Sequence, residues 1–231
     1  MTSLIKTVLI TSALSFLIVS NEEKAATLSD KSKIIYHVTD DKVMDGPFSI
    51  SSAEDKLLLR GVYKDNQRSG NWFCFNPDGT VFMRYNYDLK KVVALDSKAI
   101  SRAKIDIDSK DKTIQTDASV PVPVCSVQQY ISLVGVEFER QIMQENKSAE
   151  GLLEADLIAS IDKDGKATYS ANYDANGITM KKKIRLNDKL FNIEWIPASY
   201  KGEKLASTFA VKIAAQLGSD PRKRQRFTWA Y

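Results

Sequence analysis

Laid on itself with an offset of 24 residues, the chain brings Gly46 onto Gly70, Phe48 onto Trp72, Leu57 onto Val81, Arg60 onto Arg84 and Tyr63 onto Tyr87. An internal repeat of this kind commits a segment to one recurring supersecondary unit. The unit is glycine-x-aromatic, seen in Gly46-Pro47-Phe48, Gly61-Val62-Tyr63 and Gly70-Asn71-Trp72. Asn76-Pro77-Asp78-Gly79 marks a turn between Trp72-Phe73-Cys74-Phe75 and Val81-Phe82-Met83. Short apolar runs between such turn signals predict successive β-hairpins. Glycine answers a strand entry that a side chain would obstruct, and the aromatic two positions later shares its face of the strand. The aromatics are therefore expected to stack into one sheet core, the alternative being an exposed row that grips glycan.

Beyond the repeat, Lys104-Ile105-Asp106-Ile107-Asp108 alternates strictly and Thr113-Ile114-Gln115 follows after polar residues, which predicts a further hairpin. Val120-Pro121-Val122-Pro123-Val124 denies the chain both helix and central strand, because proline lacks the N–H donor and restricts the residue before it. A linker is placed there, over 119–125. From Val127 the apolar positions Tyr130, Ile131, Val134, Phe138 and Ile142 recur at helical spacing, with Glu137, Glu139, Arg140 and Gln144 mostly opposite, so an amphipathic helix is expected. Leu153, Ala155, Leu157, Ala159 and Ile161 alternate as a strand up to the turn Asp162-Lys163-Asp164-Gly165, and Ala167 to Tyr173 returns. Gly177 breaks that run, Met180 to Phe191 reads as a second, weaker helix, and Ser207 to Ile213 as the last strand. The expected class is α+β. Antiparallel hairpins occupy 34–118, a small sheet backed by two helices occupies 126–217, and a basic, aromatic tail occupies 218–231.

The stretch Thr7 to Val19 carries no charge, follows Lys6 and ends at the small residue Ser20, the layout of a secretory signal over residues 1–20. A spanning helix needs about 20 apolar residues, and this run is shorter, so the expected address is the periplasm or the medium. Retention at the inner membrane would follow only if the signal stays on. The formal charge of +4 is misleading until it is located. Without Lys6, Arg222, Lys223, Arg224 and Arg226, the 33 basic residues fall to 28 against 29 acidic ones. A protein that tracks phosphates needs a basic face over its folded surface, so nucleic acid is not an expected partner. Cys74 and Cys125 are the only cysteines, and export would put them where a disulfide persists. A bridge would close a loop of about 50 residues and stabilise by roughly 4 kcal/mol in the entropy model. Two unpaired buried thiols are the equal alternative.

Arg60-Gly61-Val62-Tyr63-Lys64-Asp65-Asn66-Gln67-Arg68-Ser69-Gly70-Asn71-Trp72, followed by Asp78-Gly79, resembles the MORN-type repeats of bacterial proteins often labelled YwqK-family antitoxins. That resemblance implies antiparallel hairpins and a binding or spacer role; a toxin partner does not follow from it. Further on, the order helix, strand, turn, strand, helix leads to Trp195-Ile196-Pro197-Ala198, Lys201-Gly202 and a strand ending Phe209-Ala210-Val211-Lys212-Ile213. This order resembles the TonB C-terminal domain, matched at Gly151, Asp162, Asp164-Gly165, Trp195, Pro197 and Gly202. Glu145-Asn146-Lys147-Ser148 stands where that family has an aromatic-proline pair, and no long proline-rich spacer precedes, so periplasm-spanning energy transduction is not implied. The resemblance implies a short sheet whose free edge accepts a partner's strand through backbone hydrogen bonds. The expected edge is Ala206 to Ile213. Thr208, Ala210 and Lys212 are its partner-binding candidates, alternating with Phe209, Val211 and Ile213, which pack on the helices. The alternative is an edge that pairs only with its own tail. Trp195 is expected in the core.

Other signals are weaker. Asp162-Lys163-Asp164-Gly165 hints at calcium, yet an EF-hand loop needs further oxygen ligands and a terminal glutamate, and a β-turn accounts for it. His37 is the only histidine, and neither a Gly-x-Ser-x-Gly elbow nor a phosphate-cradling glycine loop is present. No catalytic residue, cofactor or metal is expected. The tail joins four basic residues to Phe227, Trp229 and Tyr231, a solvated segment or a terminal strand laid on the sheet edge. The expected function is a non-enzymatic, exported protein that binds another envelope protein, with a homodimer as a further option. The rival is a peptidoglycan- or glycan-binding module using the aromatic hairpins and the tail.

Overall fold

The computed structural model describes residues 21–175, 177–218 and 228–229; the signal expected at Thr7 to Val19 lies outside them. The glycine-punctuated region folds as seven strands: β1 (Glu22–Thr27), β2 (Lys33–Val38), β3 (Met44–Ser51), β4 (Leu57–Lys64), β5 (Gln67–Phe75), β6 (Val81–Asn86) and β7 (Lys91–Leu95). Each is antiparallel to the next, and spatial order equals chain order. Every pairing after the first carries a register shift, and such bulges increase the local twist. The repeat's aromatics face one core. Phe48, Tyr63 and Trp72 meet pairwise at centroid distances of 5.2–5.3 Å, and Tyr87 lies 5.7 Å from Trp72.

There follow α1 (Ser97–Ile100), β8 (Lys104–Ile107), α2 (Lys112–Asp117), β9 (Val122–Pro123) and α3 (Val127–Glu145). The chain then forms β10 (Gly151–Ile161), β11 (Ala167–Ala175), β12 (Ile178–Ile184), β13 (Trp195–Ile196), β14 (Ala198–Tyr200), β15 (Glu203–Leu205), β16 (Ser207–Leu217) and β17 (Thr228–Trp229). The second sheet runs β12-β11-β10-β16, with β8 and β17 both on the far side of β16. Helix α3 covers one face of it. Phe138 meets Tyr173 at 5.4 Å, and Tyr130 sits among Tyr169, Trp195 and Phe209 at 5.6–6.2 Å. Trp195 is buried as expected, its Nε1–H donating to the Tyr169 hydroxyl at 3.1 Å. Among the described residues no helix is long and apolar enough to cross a membrane.

The α+β class with N-terminal hairpins holds, and two local expectations are corrected. Thr113-Ile114-Gln115 is not a return strand: Asp111 accepts from the Thr113 N–H at 2.8 Å and caps helix α2, while β8 pairs with β16 instead. The segment from Met180 to Phe191 is not a second helix. Asp174 accepts from the Gly177 N–H at 2.8 Å, which turns the chain back onto β11 as strand β12, and a loop follows. The segment read as a linker, 119–125, is packed into the protein over most of its length. Pro121 to Val127 are all buried, β9 pairs with β13, and the Val124 N–H donates to the Glu194 carbonyl at 2.8 Å. Prolines did exclude helix and long strand, but the valines between them are apolar enough to be drawn into the seam. One hydrophobic core consequently runs from Phe48 and Trp72 of the first sheet through Val124 and Cys125 to Tyr130 and Phe209 of the second.

Candidate functional site

The residues expected to bind a partner lie in β16, which is the interior of the second sheet. On one side β16 pairs with β10 along its whole length, from Gly151↔Leu217 to Ile161↔Ser207. On the other, Thr208 opposes Asp106, Ala210 opposes Lys104, and Ile213 opposes Trp229 of the tail. Lys212 falls between β8 and β17, and its ammonium pairs with Glu154 of β10 at 3.0 Å. Thr208 and Ala210 therefore offer no free edge, and at Lys212 only the short gap between β8 and β17 is left on that side. The strand that closes β16 comes from upstream of the proline run, and no local spacing connects the two.

One edge of this sheet is β12, beyond which no strand pairs among the described residues; the opposite edge is made by β8 and β17. Its two-residue alternation places Met180, Lys182 and Ile184 opposite Tyr173, Ala171 and Tyr169, on the face that α3 covers. Lys182 is tied there to Glu145 of the helix. On that same face Ile178 and Met180 remain 64% and 44% exposed, and Lys181 and Lys183 are exposed on the opposite face. Gln141 of α3, with its amide turned to satisfy both atoms, donates to the Lys183 carbonyl at 3.0 Å and accepts from the Arg185 N–H at 3.2 Å. Peptide groups of alternate residues point the same way along a strand, so Thr179 and Lys181 also direct theirs outward. The signal was present in the sequence as Ile178, Met180 and Ile184 at period two, but the lysine run between them also suits a helix.

Three further places gather polar groups. Where the sheets meet, Arg68 lies 4.4 Å over the Trp72 ring, donates to the hydroxyls of Tyr63 (3.3 Å) and Tyr87 (2.9 Å), and pairs with Glu194 at 3.3 Å. Burial by itself would lower the Arg68 pKa, but the tyrosines and Glu194 raise it overall; this cation is consumed in holding the seam. A second place is a slot of about 240 Å³ between the hairpin turns of the first sheet and the start of α3, with Asp30, Glu54, Lys56 and Gln129 in its wall. A third, of about 740 Å³, lies beside β8 and β16 and includes Asp106, Asp108, Asp162 and Ser207. Asp162 there accepts from the N–H groups of Asp164 and Lys166, which makes its loop a β-turn. No group of three or more His, Cys, Asp or Glu among the described residues is arranged to hold a metal.

Cys74 and Cys125 are unbridged in this structure and both fully buried. Burial pushes both thiols up, and a charge on Cys74 further disfavours one on Cys125. His37 lies on the outer face of the first sheet, with Nδ1 3.0 Å from the Pro47 carbonyl and Nε2 3.8 Å from Glu23. Trp72 is fully buried. No protein-family model, curated protein or solved structure matches the chain, so its likenesses to MORN-type repeats and to the TonB C-terminal domain stand on the motifs that suggested them.

Proposed function

We propose that this is a non-enzymatic, exported binding protein that takes an extended, acidic segment of another envelope protein onto the outer edge of β12. The observation that carries the reading is the composition of that edge. Unpaired backbone groups at Thr179 and Lys181 sit beside exposed apolar side chains, Ile178 and Met180, and beside exposed cations, Lys181 and Lys183. A lysine-bearing edge resists pairing with its own copy, because like charges would face each other, and still admits a strand carrying carboxylates. The glycan-binding rival loses Trp72 to the core; what remains on the outer face is Arg60 stacked 5.0 Å from Phe73 and 5.7 Å from Phe75.

The test uses Thr179→Pro. Proline is tolerated on an edge strand whose N–H faces solvent, so this variant should fold and lose the outward donor. A fluorescent peptide alternating glutamate and valine should bind the wild type, lose at least tenfold in affinity with Thr179→Pro, and prefer a lysine-valine peptide once Lys181 and Lys183 are both glutamate. Equal binding of both peptides by the wild type, or full binding by Thr179→Pro, sinks the reading. Export is tested separately by the N-terminal residue of protein from fractionated cells, expected near Asn21.

A further inference from the structure

The slot at the start of α3 contains a side chain that its surroundings leave unsatisfied. Gln129 is 1% exposed, lines the slot, and neither its Oε1 nor its Nε2 has a hydrogen-bond partner. Its backbone N–H, by contrast, is capped by the Ser126 hydroxyl at 3.2 Å, so only the carboxamide is left over. A buried amide without partners carries the desolvation cost of both atoms, and such a group calls for an occupant. The same helix shows what satisfies it. Gln141 engages the C=O and the N–H of a neighbouring backbone with one donor and one acceptor. The complement of the Gln129 amide is therefore a peptide or carboxamide edge.

The charges of the wall narrow the choice. Asp30 and Glu54 contribute two carboxylates, and Lys56, in the same wall, is turned to the Pro77 carbonyl at 3.3 Å. Asp30 accepts from the Ser32 N–H at 3.0 Å, yet burial, helped by the nearby Asp188 charge, raises its pKa above the ordinary carboxylate value. A cation beside it would relieve that penalty. Leu58 and Val136 supply an apolar wall. The volume, about 240 Å³, falls just below the range of about 300–1,000 Å³ usual for small-molecule sites, so the occupant is small.

We propose that this slot binds the amino end of a peptide, with the Gln129 carboxamide, whose polar atoms are closed to solvent in the free protein, turning out to meet the first peptide group, the ammonium beside Asp30 and Glu54, and a small first side chain against Leu58 and Val136. The site is separate from the β12 edge, and its failure would leave that reading untouched.

Glycyl-glycinamide and L-alaninamide are the probes, titrated into the full chain while the Gln129 side-chain amide resonances are followed by NMR and the melting temperature is recorded. Both should shift those resonances and raise the melting temperature with concentration, as a ligand of the folded state must. N-acetylglycinamide, which lacks the ammonium, and ethylammonium, which lacks the amide, should bind at least tenfold more weakly. Gln129→Met should stay folded, because an apolar side chain of similar shape removes the unpaired amide, and lose at least tenfold in affinity. The proposal is overturned if the acetylated probe binds equally, if Gln129→Met binds as the wild type does, or if no probe moves the Gln129 amide and the slot holds water only.

Discussion

Gly61 lies against the Trp72 indole with no room for a methyl group. A Cβ there would stand 2.2 Å from the ring, so the glycine is needed for close approach. Gly46 and Gly70 serve the other purpose, with φ of +114° and +60°. Gly61→Ala should therefore displace Trp72 and destabilise by about 2–3 kcal/mol, read as a lower urea midpoint at unchanged slope; a loss below about 0.5 kcal/mol would mean that the indole shifts freely. The glycine-x-aromatic pattern was legible in the sequence, and so was the inward turn of its aromatics. The partner of Arg68 was not. Arg68 belongs to the repeat, but Glu194 and Phe191, which it meets at 3.3 Å and 5.8 Å, come from the loops of the other sheet.

At the scale of elements, α3 was the most legible, because its apolar stripe has the helical period; the structure adds Ser126 as its N-cap. Ser126→Ala removes the acceptor for the Gln129 N–H and should cost about 1 kcal/mol. Urea unfolding followed by far-ultraviolet circular dichroism measures it, and an unchanged midpoint would mean that the buried N–H finds another acceptor. The strands that closed the second sheet were less legible. β8 shows the strand period, but period two states only that a strand exists. Its partner, β16, lies across the proline run and α3. β12 was misread for a related reason: lysine is at home in helices and on sheet edges, so the Asp174–Gly177 turn had to decide between them.

For the whole molecule, the shared core has a consequence for pH. Cys74, Cys125, Tyr130 and Tyr169 are all in it, and burial raises the pKa of each. A folded thiol that holds its proton beyond the ordinary value of about 9 makes the native state bind more protons than the unfolded chain above that pH. Stability should therefore fall as pH rises past about 9, and fall further as the tyrosines of the unfolded chain ionise near 10. Urea titrations at pH 7, 9 and 10, read by tryptophan fluorescence, should show one cooperative transition with a midpoint that drops at the higher values. A constant midpoint would contradict the burial of both thiols, and two separated transitions would contradict the common core. The sequence by itself determined the hairpins of the glycine-aromatic repeat, the main helix, the Asp162–Gly165 turn and the inward aromatics, because each rests on periodicity or on backbone chemistry within a few residues. Which strand is interior and which is edge, the burial of Val122 and Val124 in the seam, the pairing of β8 with β16, and the unpaired amide of Gln129 were decided only by the tertiary structure. These depend on contacts between distant segments, and a residue's own neighbours in the chain carry no record of which surface will come to cover it.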